Sequence, residues 1–227
     1  MVQKTDRVTT GLTKLDALTC GGFPSKTVIL ISGSAGTGKT LFGLNFLVEG
    51  ARRGERCCYI SFSESADELM RACEGIESLR DAKRYAGKNL ILQYVDIGKL
   101  TLNKFVHTLA LYPDVDRLVI DNINKLLLFA ETDRKYRIAM VKVINNLKKK
   151  AGCSLLLCET AAGEVDTGKG ESFECDGLVN ISFLDLEEKP MRTLEIHKLR
   201  YTAFDPRVVH NIVISSKGLE LGDAKLI

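Results

Sequence analysis

Residues 33–40 read Gly-Ser-Ala-Gly-Thr-Gly-Lys-Thr, which fits the phosphate-binding loop pattern Gly-x-x-x-x-Gly-Lys-[Ser/Thr]. The β-branched, apolar run 27–32 comes directly before this loop and is typical of a buried parallel strand. After the loop, apolar residues recur as on one face of a helix, which predicts a helix from about 38 to 52. Strand, glycine loop and helix thus follow one another in the order that a phosphate cradle requires. The flanking strand disfavours the alternative, a glycine-rich turn before an ordinary helix.

The residues of this loop have separate roles in holding a phosphate. Glycines let backbone N–H groups curl around the β- and γ-phosphates, and the helix N-terminus adds its positive end. Lys39 supplies a positive charge to the phosphates, and the Thr40 hydroxyl ligates Mg²⁺. The sequence therefore predicts a site for a nucleoside triphosphate with Mg²⁺. Its binding residues are expected to be Gly33, Ser34, Ala35, Gly36, Thr37, Gly38, Lys39, Thr40 and Leu41.

Length and composition favour a single α/β domain over residues 1–227. The chain has 227 residues, 45% of them hydrophobic, which is enough for one large core and too little for two full domains. Strand-like and helix-like runs alternate, which predicts a mostly parallel central sheet flanked by helices. We divide the chain into an approach segment 1–26, a nucleotide-binding core 27–160, a loop 161–176 and antiparallel edge strands 177–227.

Charge, cysteine content and hydropathy bound the class of protein. The net charge of +3, with 27% charged residues, neither requires nor excludes nucleic acid. The seven cysteines form no Cys-x-x-Cys pair, and several lie in strand-like runs, among them Cys57, Cys58, Cys153 and Cys158, so we expect them to be reduced and buried. The N-terminus lacks an apolar signal segment, and no apolar run approaches ~18 residues. We expect a cytoplasmic protein that does not contact membranes.

The remaining periodicity predicts further strands and helices. Strands are expected at 56–62, 89–95, 116–120 and 153–158, with antiparallel strands at 177–185, 191–197 and 208–215. Helices are expected at about 66–80, 102–111 and 132–150. We assign the apolar face of the last helix to Ile138, Val141, Ile144 and Leu147.

Two acidic residues follow predicted strands. Asp121 ends the apolar run 116–121, the form of a Walker B motif, and would organise Mg²⁺ next to Thr40. Glu64 follows the second core strand, and because ligands gather at the carboxyl ends of parallel strands, it is the candidate base for the attacking water. Each has an alternative: Asp121 as an ordinary turn residue, and Glu64 as part of the cap of the next helix.

Lys198 and Arg200 place two cations on one side of a C-terminal strand. By spacing alone, they are better read as protective charges on a solvated edge strand than as functional groups.

At this point several motifs resemble, in order, those of KaiC-like and RadA-like ATPases of the RecA superfamily. The resemblance covers about residues 8–220 and identifies the chain as a single-domain member of that group. It is carried by Gly11-Leu12-Thr13-Lys14-Leu15-Asp16, Gly21-Gly22-Phe23-Pro24, Gly36-Thr37-Gly38-Lys39-Thr40-Leu41-Phe42, Tyr59-Ile60-Ser61-Phe62, Val119-Ile120-Asp121 and Leu194-Glu195-Ile196-His197-Lys198-Leu199-Arg200.

The resemblance implies a RecA-type fold and a homo-oligomer, such as a hexameric ring, with ATP between neighbouring subunits. It also implies that Lys198 and Arg200 reach the neighbour's γ-phosphate in the manner of arginine fingers, which reverses the interpretation from spacing. Glu159, after the fifth strand, matches a polar γ-phosphate sensor, with a strand-end acid at a turn as the alternative.

Two positions depart from the family pattern. Ser63 replaces the first of two adjacent acids after the second strand, which leaves Glu64 alone and puts the hydrolysis rate in doubt. At the position where clock proteins phosphorylate an adjacent Ser and Thr, this chain has Ser172-Phe173, with one hydroxyl. We therefore predict no autokinase.

The leading hypothesis is a slow Mg-ATPase whose hydrolysis is coupled to the state of the oligomer or of a protein partner. A DNA-binding, RadA-like recombinase paralogue in repair is one alternative. The loop 161–175 argues against it, because this segment holds one lysine against four acids and an acidic loop repels phosphates. A nucleotide-gated scaffold or signalling protein that does not hydrolyse ATP is the other, suggested by Ser63.

Overall fold

The strand before the glycine loop lies in the interior of a nine-stranded sheet. All of its residues are buried, because layers cover both faces of the sheet there. The computed structural model describes residues 6–185, 190–206 and 208–225; residues 1–5 of the predicted approach segment and residues 226–227 lie outside this part of the chain. The strands are β1 (Arg7–Val8), β2 (Phe23–Pro24), β3 (Thr27–Gly33), β4 (Cys57–Ser61), β5 (Leu90–Tyr94), β6 (Val115–Asp121), β7 (Ala151–Glu159), β8 (Gly177–Leu184), β9 (Met191–Leu199), β10 (Val209–Ile214) and β11 (Leu219–Lys225).

Helices cover both faces of this sheet. The α-helices are α1 (Thr13–Leu18), α2 (Lys39–Arg52), α3 (Ala66–Glu74), α4 (Ala82–Tyr85), α5 (Leu102–Leu111), α6 (Asp133–Lys150) and α7 (Glu171–Glu174). Short 3₁₀ helices occupy Glu77–Leu79, Ile97–Lys99 and Ile123–Phe129. One apolar core lies between the sheet and α1, α2 and α3, and the other between the sheet and α5 and α6. Among the described residues, no helix is both long and apolar enough to cross a membrane.

The strand order is β11-β10-β9-β8-β3-β7-β6-β4-β5. From β8 to β5 neighbouring strands are parallel, whereas β9, β10 and β11 pair antiparallel. The predicted fold class, a mostly parallel sheet with antiparallel strands at its C-terminal edge, is confirmed. The structure differs in that β8 is parallel to β3 as well as antiparallel to β9, so it joins the two halves of the sheet, and in that β11, which was not predicted, forms the edge.

The predicted apolar face of α6 is wrong in part. Ile138 and Val141 are 48% and 37% exposed, whereas Ile144 and Leu147 are buried as expected. Steps of three residues drift around a helix of 3.6 residues per turn, so the predicted set does not stay on one face. The observed buried face has the spacing i, i+3, i+4, i+7, i+8, i+11 that keeps residues on one side of a helix. It consists of Tyr136, Ala139, Met140, Val143, Ile144 and Leu147.

The segment predicted as a loop over 161–176 contains α7 and is held by its own side chains. Glu171 is fully buried, and its carboxylate accepts hydrogen bonds from Tyr136 Oη at 2.8 Å and from Thr167 Oγ1 at 2.7 Å. The Ser172 hydroxyl donates to the Asp166 carboxylate. This segment therefore has a defined conformation on the α6 side of the sheet.

A buried arginine ties the approach segment to the core. Arg117 has no exposed side-chain surface, and its guanidinium lies 4.7 Å from the centre of the Phe46 ring. It donates to the carbonyl oxygens of Thr9 at 2.6 Å and Phe46 at 2.8 Å, and forms an ion pair with Glu55 at 2.5 Å. Sequence reasoning treated this arginine as part of an apolar strand and missed its role, because its partners come from three distant segments.

Six of the seven cysteines are buried and free as predicted, but Cys20 is exposed. Cys57, Cys58, Cys153 and Cys158 are buried and free, and burial in apolar surroundings raises the pKa of each of these thiols, that of Cys57 to about 12. They pack as small apolar side chains and are not arranged for reaction.

Candidate nucleotide site

The glycine loop connects the carboxyl end of β3 to the first turn of α2. Gly38 has φ of +103° immediately before α2, and a Cβ atom there would lie 2.3 Å from Ile214 Cδ1, so only glycine fits. A Cβ atom at Gly36 would meet nothing within 4 Å, so the middle of the loop faces open space. No side chain among the described residues caps the start of α2, which leaves the N–H groups of its first turn free to bind an anion.

Lys39 bends back over this loop. Its Nζ donates to the carbonyl oxygens of Gly33 at 2.9 Å and Ser34 at 2.8 Å. Burial lowers the pKa of Lys39, and the carboxylates of Glu159 and Asp121 oppose that shift. The ammonium group is thus held at the mouth of the loop on backbone oxygens, which a phosphate can replace.

Asp121 and Thr40 meet as predicted. The Thr40 hydroxyl donates to Asp121 Oδ2 at 2.8 Å across the gap between α2 and the end of β6. Tyr59, on the neighbouring strand β4, donates its hydroxyl to the same oxygen at 2.6 Å. Sequence reasoning did not single out Tyr59, because a tyrosine in a buried strand has no local signal of a polar partner.

Glu64 follows β4 at the same edge of the sheet. Its backbone N–H donates to Ser61 Oγ at 2.8 Å. Burial first, then the charges of Asp121 and Glu68, raise the pKa of its carboxyl group above the usual value. The capping box of α3 is formed by Ser65 and Glu68, so the cap of this helix does not depend on Glu64.

Two asparagines after β6 hold the Glu159 end of β7. Asn124 Oδ1 accepts from Glu159 N at 2.7 Å, and Asn124 Nδ2 donates to Glu159 O at 2.8 Å. Asn122, joined to Asp121 by a cis peptide bond, lies 3.5 Å from Glu159 Oε2 through its Nδ2, while its buried Oδ1 has no partner among the described residues. Sequence reasoning missed both asparagines, although their position directly after the Walker B-like strand was an available signal.

Arg192 is a further cation at this edge that the sequence did not indicate. It begins the antiparallel strand β9, whose start lies beside the glycine loop, and its Nε and Nη2 lie 3.4 and 3.5 Å from the carbonyl oxygen of Gly36. Its guanidinium lies 5.2 Å from the centre of the Phe183 ring. Only the return of the chain in β9 brings Arg192 to the loop.

Lys198 and Arg200 lie at the opposite end of the parallel strands, where β3 begins. Arg200 N bonds to Asp176 O, and Asp176 N bonds to Val28 O, which places Arg200 level with Val28 near the start of β3. At roughly 3.3 Å per residue, the beginning of the glycine loop at Gly33 is about 16 Å further along the sheet. The structure therefore does not bring these two residues to the phosphate loop of their own chain.

Both of these cations are occupied within the chain. Lys198 Nζ donates to three backbone oxygens, those of Ser172 at 2.9 Å, Phe173 at 3.2 Å and Cys175 at 2.6 Å. Burial and then the charge of Arg200 lower the pKa of Lys198. Arg200 Nη1 lies 3.2 Å from Asp176 Oδ1. Lys198 is therefore not the solvated edge charge that spacing alone favoured, whereas Arg200 is ion-paired but keeps a 47% exposed side chain.

The residues at the carboxyl edge fit a magnesium–nucleotide complex. A hydroxyl hydrogen-bonded to a carboxylate at Thr40 and Asp121 is the oxygen donor set that Mg²⁺ takes beside a phosphate loop. The open face of Gly36 and the uncapped start of α2 provide a concave set of N–H groups. The unpartnered Asn122 Oδ1 adds a buried acceptor at the same edge.

Residues 8–225 match the family model described as "ATPase: KaiC". The chain belongs to this family. The RecA-type fold, the glycine loop and the family together make it a nucleotide-binding KaiC-like protein.

Relatives in the KaiC family span a range of lengths. The chain is 27% identical to the circadian clock protein KaiC3 of Synechocystis sp., over 96% of this chain and 46% of that protein. It is 26% identical to the UPF0273 protein PH0284 of Pyrococcus horikoshii, over 95% of this chain and 93% of that protein. The crystal structure of the KaiC-like protein PH0186 from Pyrococcus horikoshii superposes with a TM-score of 0.83 at 25% identity, over 97% of this chain and all of that one. The chain thus spans about half or less of these clock proteins and nearly all of the two Pyrococcus horikoshii proteins.

Proposed function

We propose that the protein is a Mg-ATP-binding ATPase in which ATP lies between subunits of a homo-oligomer. Slow hydrolysis would be coupled to the state of that oligomer or of a protein partner. The observation that supports it best is the separation of Lys198 and Arg200 from the phosphate loop of their own chain. Cations about 16 Å away along the sheet do not reach the phosphate of their own chain, so a role for them in hydrolysis requires the phosphate of a neighbouring subunit.

Within one chain, residues at the carboxyl ends of the parallel strands bind the nucleotide and activate the attacking water. The loop N–H groups and Lys39 hold the β- and γ-phosphates, with Arg192 as a second cation beside Gly36. Thr40 and Asp121 hold Mg²⁺, which neutralises phosphate charge when bound.

Glu64 orients the attacking water and accepts its proton, for which a raised pKa makes its carboxylate a stronger base. As the water oxygen bonds to the γ-phosphorus, the bond to the bridging oxygen breaks and the charge on the departing diphosphate faces Lys39. Lys198 and Arg200 of the neighbour stabilise the charge on the transferring group.

The two alternatives differ in what supports them. For DNA binding through the loop 161–175, its single lysine is already paired, since Lys169 Nζ lies 2.9 Å from Asp133 Oδ2. That pairing leaves the loop acidic and disfavours phosphate binding. For a scaffold that binds ATP without hydrolysing it, the supporting observation is Ser63, which leaves Glu64 as the one acid directly after β4.

The test is a subunit-mixing experiment. The Lys39→Ala variant lacks the ammonium group that binds the phosphates but keeps Lys198 and Arg200. The Arg200→Ala variant lacks one of those two cations but keeps an intact glycine loop. We expect each variant alone to release little phosphate and the mixture to regain part of the wild-type rate, because mixed interfaces pair an intact loop with an intact finger. Light scattering on the same samples, with and without Mg-ATP, reports the oligomeric mass.

Each outcome decides between the hypotheses. A mixture that regains nothing, or a wild-type chain that stays monomeric with ATP, would overturn the interfacial site. Assembly of the wild type with ATP but without phosphate release would support the scaffold. DNA affinity that falls steeply with salt would support the recombinase paralogue.

A further inference from the structure

The carboxylate of Asp121 receives two hydroxyl donors on one oxygen. Thr40 Oγ1 lies 2.8 Å and Tyr59 Oη 2.6 Å from Asp121 Oδ2. Both donors point at Oδ2, and no described residue donates to Oδ1. One carboxylate oxygen is therefore saturated from within the chain, and the other is left for a different partner.

Tyr59 can make this bond because its ring is fixed by packing. Its side chain is fully buried on β4, between the sheet and α2. Gly43 of α2 lies over the ring: a Cβ atom at Gly43 would be 3.4 Å from Tyr59 Cε2 and 3.1 Å from Val119 Cγ1. A ring enclosed on both faces holds its hydroxyl in one place at little entropic cost on binding.

The Tyr59 hydroxyl is a neutral donor to the Asp121 carboxylate, at 2.6 Å. Hydrogen bonds of a neutral donor to a carboxylate are among the stronger ones in proteins.

We propose that Tyr59 is a positioning residue for the magnesium site, which holds Asp121 so that Thr40 keeps donating to Oδ2 and Oδ1 stays available to the metal or its water. The inference rests on the proposed Mg-ATP function and adds to it a residue outside the glycine loop and the acidic strand end. Without the second donor, the carboxylate is free to rotate about its Cβ–Cγ bond and must be ordered when Mg²⁺ binds.

The test compares two tyrosines that each donate to a carboxylate inside the protein. Tyr59→Phe removes the hydroxyl at Asp121, and Tyr136→Phe removes the equally buried hydroxyl at Glu171, outside the site. Binding of a non-hydrolysable ATP analogue is titrated by calorimetry at a series of Mg²⁺ concentrations and in EDTA. Thermal unfolding of both variants shows that they are folded.

For Tyr59→Phe we expect the Mg²⁺ concentration at half-saturation to rise about 10-fold, with analogue affinity in EDTA unchanged. This is the lower end of the roughly 10–100-fold range that outer-shell partners of metal ligands contribute. Tyr136→Phe should leave both quantities at their wild-type values. An unchanged Mg²⁺ dependence in Tyr59→Phe would overturn the inference, as would an equal loss of affinity in EDTA, which would mean that the ring supports the loop and not the metal.

The failure of this inference is distinct from the failure of the proposed function. A wild-type chain that binds no nucleotide at any Mg²⁺ concentration would overturn both. Mg²⁺-dependent binding without recovery in the mixing experiment would overturn the interfacial site alone, and the comparison of Tyr59→Phe with Tyr136→Phe would still decide the role of Tyr59.

Discussion

Two lysines at opposite ends of the parallel strands make the same kind of contact, a set of hydrogen bonds to backbone carbonyl oxygens, but serve different roles. Lys39 Nζ rests on the carbonyl oxygens of Gly33 and Ser34, and Lys198 Nζ rests on those of Ser172, Phe173 and Cys175. Burial lowers the pKa of both. The hydrogen bonds alone do not tell a ligand-binding lysine from one that supports the chain.

The surroundings make the difference. Near Lys39, the carboxylates of Asp121 and Glu159 form no ion pair with another described residue, and the loop faces open space at Gly36. Around Lys198, Arg200 is the charge that lowers its pKa most, and the buried carboxylate of Asp176 already pairs with Arg200 and Lys148. The residues around Lys39 are arranged to receive a phosphate together with its Mg²⁺ from solution. The cluster around Lys198 keeps an excess of positive charge, because Lys148, Lys198 and Arg200 face one buried carboxylate.

The largest effect should come from exchanging the two lysines for alanine. Lys39→Ala should weaken ATP binding by about 100-fold or more, or about 2.7 kcal/mol, because a charge at the mouth of the loop is lost. Lys198→Ala should change the ATP affinity of one chain less than about 2-fold while lowering phosphate release by the oligomer. Fluorescence titration of an ATP analogue and a phosphate-release assay measure the two effects; equal losses of affinity would erase the distinction between the edges.

The second-largest effect distinguishes the structural role of the Asp176 carboxylate from the ligand-binding role proposed for Asp121. Asp176→Asn should lower the free energy of unfolding by about 2–3 kcal/mol, or about 5–10 °C in Tm, because Asp176 is 1% exposed and accepts from Lys148, Arg200 and the N–H of Val28. Asp121→Asn should cost less than about 1 kcal/mol without nucleotide and should remove the Mg²⁺ dependence of binding. Thermal and urea unfolding give the first quantity. A larger loss of stability in Asp121→Asn would contradict the assignment.

The smallest effect should be a gain in the free energy of unfolding, whereas the preceding substitutions cause losses. The pKa of Glu64 is raised in the fold, so its charged form is disfavoured there, and the resulting destabilisation appears as pH rises from the usual carboxyl pKa through the folded value. Glu64→Gln should therefore be more stable than the wild type at pH 7 and not below pH 4. After screening of a partly exposed side chain, the gain is a few tenths of a kcal/mol. Urea unfolding at both pH values measures it, and a loss of stability at pH 7 would show that Glu64 makes contacts the structure does not contain.

Much of the carboxyl edge was predictable because its signals are local. The strand before the glycine loop, the loop itself and Asp121 each lie in a short run whose pattern requires no knowledge of the rest of the chain. Glu64 was ambiguous in sequence, since a helix-cap acid and a strand-end base look alike. The structure shows that Ser65 and Glu68 form the capping box without Glu64.

The rest depended on contacts between distant segments. Tyr59, Arg192 and Arg117 act through partners 62, 156 and 108 residues away in the chain, and no short pattern reports such a partner. The apolar face of α6 was wrong in part for a different, local reason: the predicted residues are three apart and drift around a helix of 3.6 residues per turn.

The sequence by itself determined the kind of ligand this protein takes, because a phosphate cradle is built from the backbone of eight consecutive residues and from the helix that follows them. Only the tertiary structure decided which cations share that cradle and which lie a strand's length away, at Lys198 and Arg200. The reason is the direction of β9: an antiparallel strand brings its first residue to the phosphate edge and its last to the opposite edge, and strand direction comes from the packing of the whole sheet.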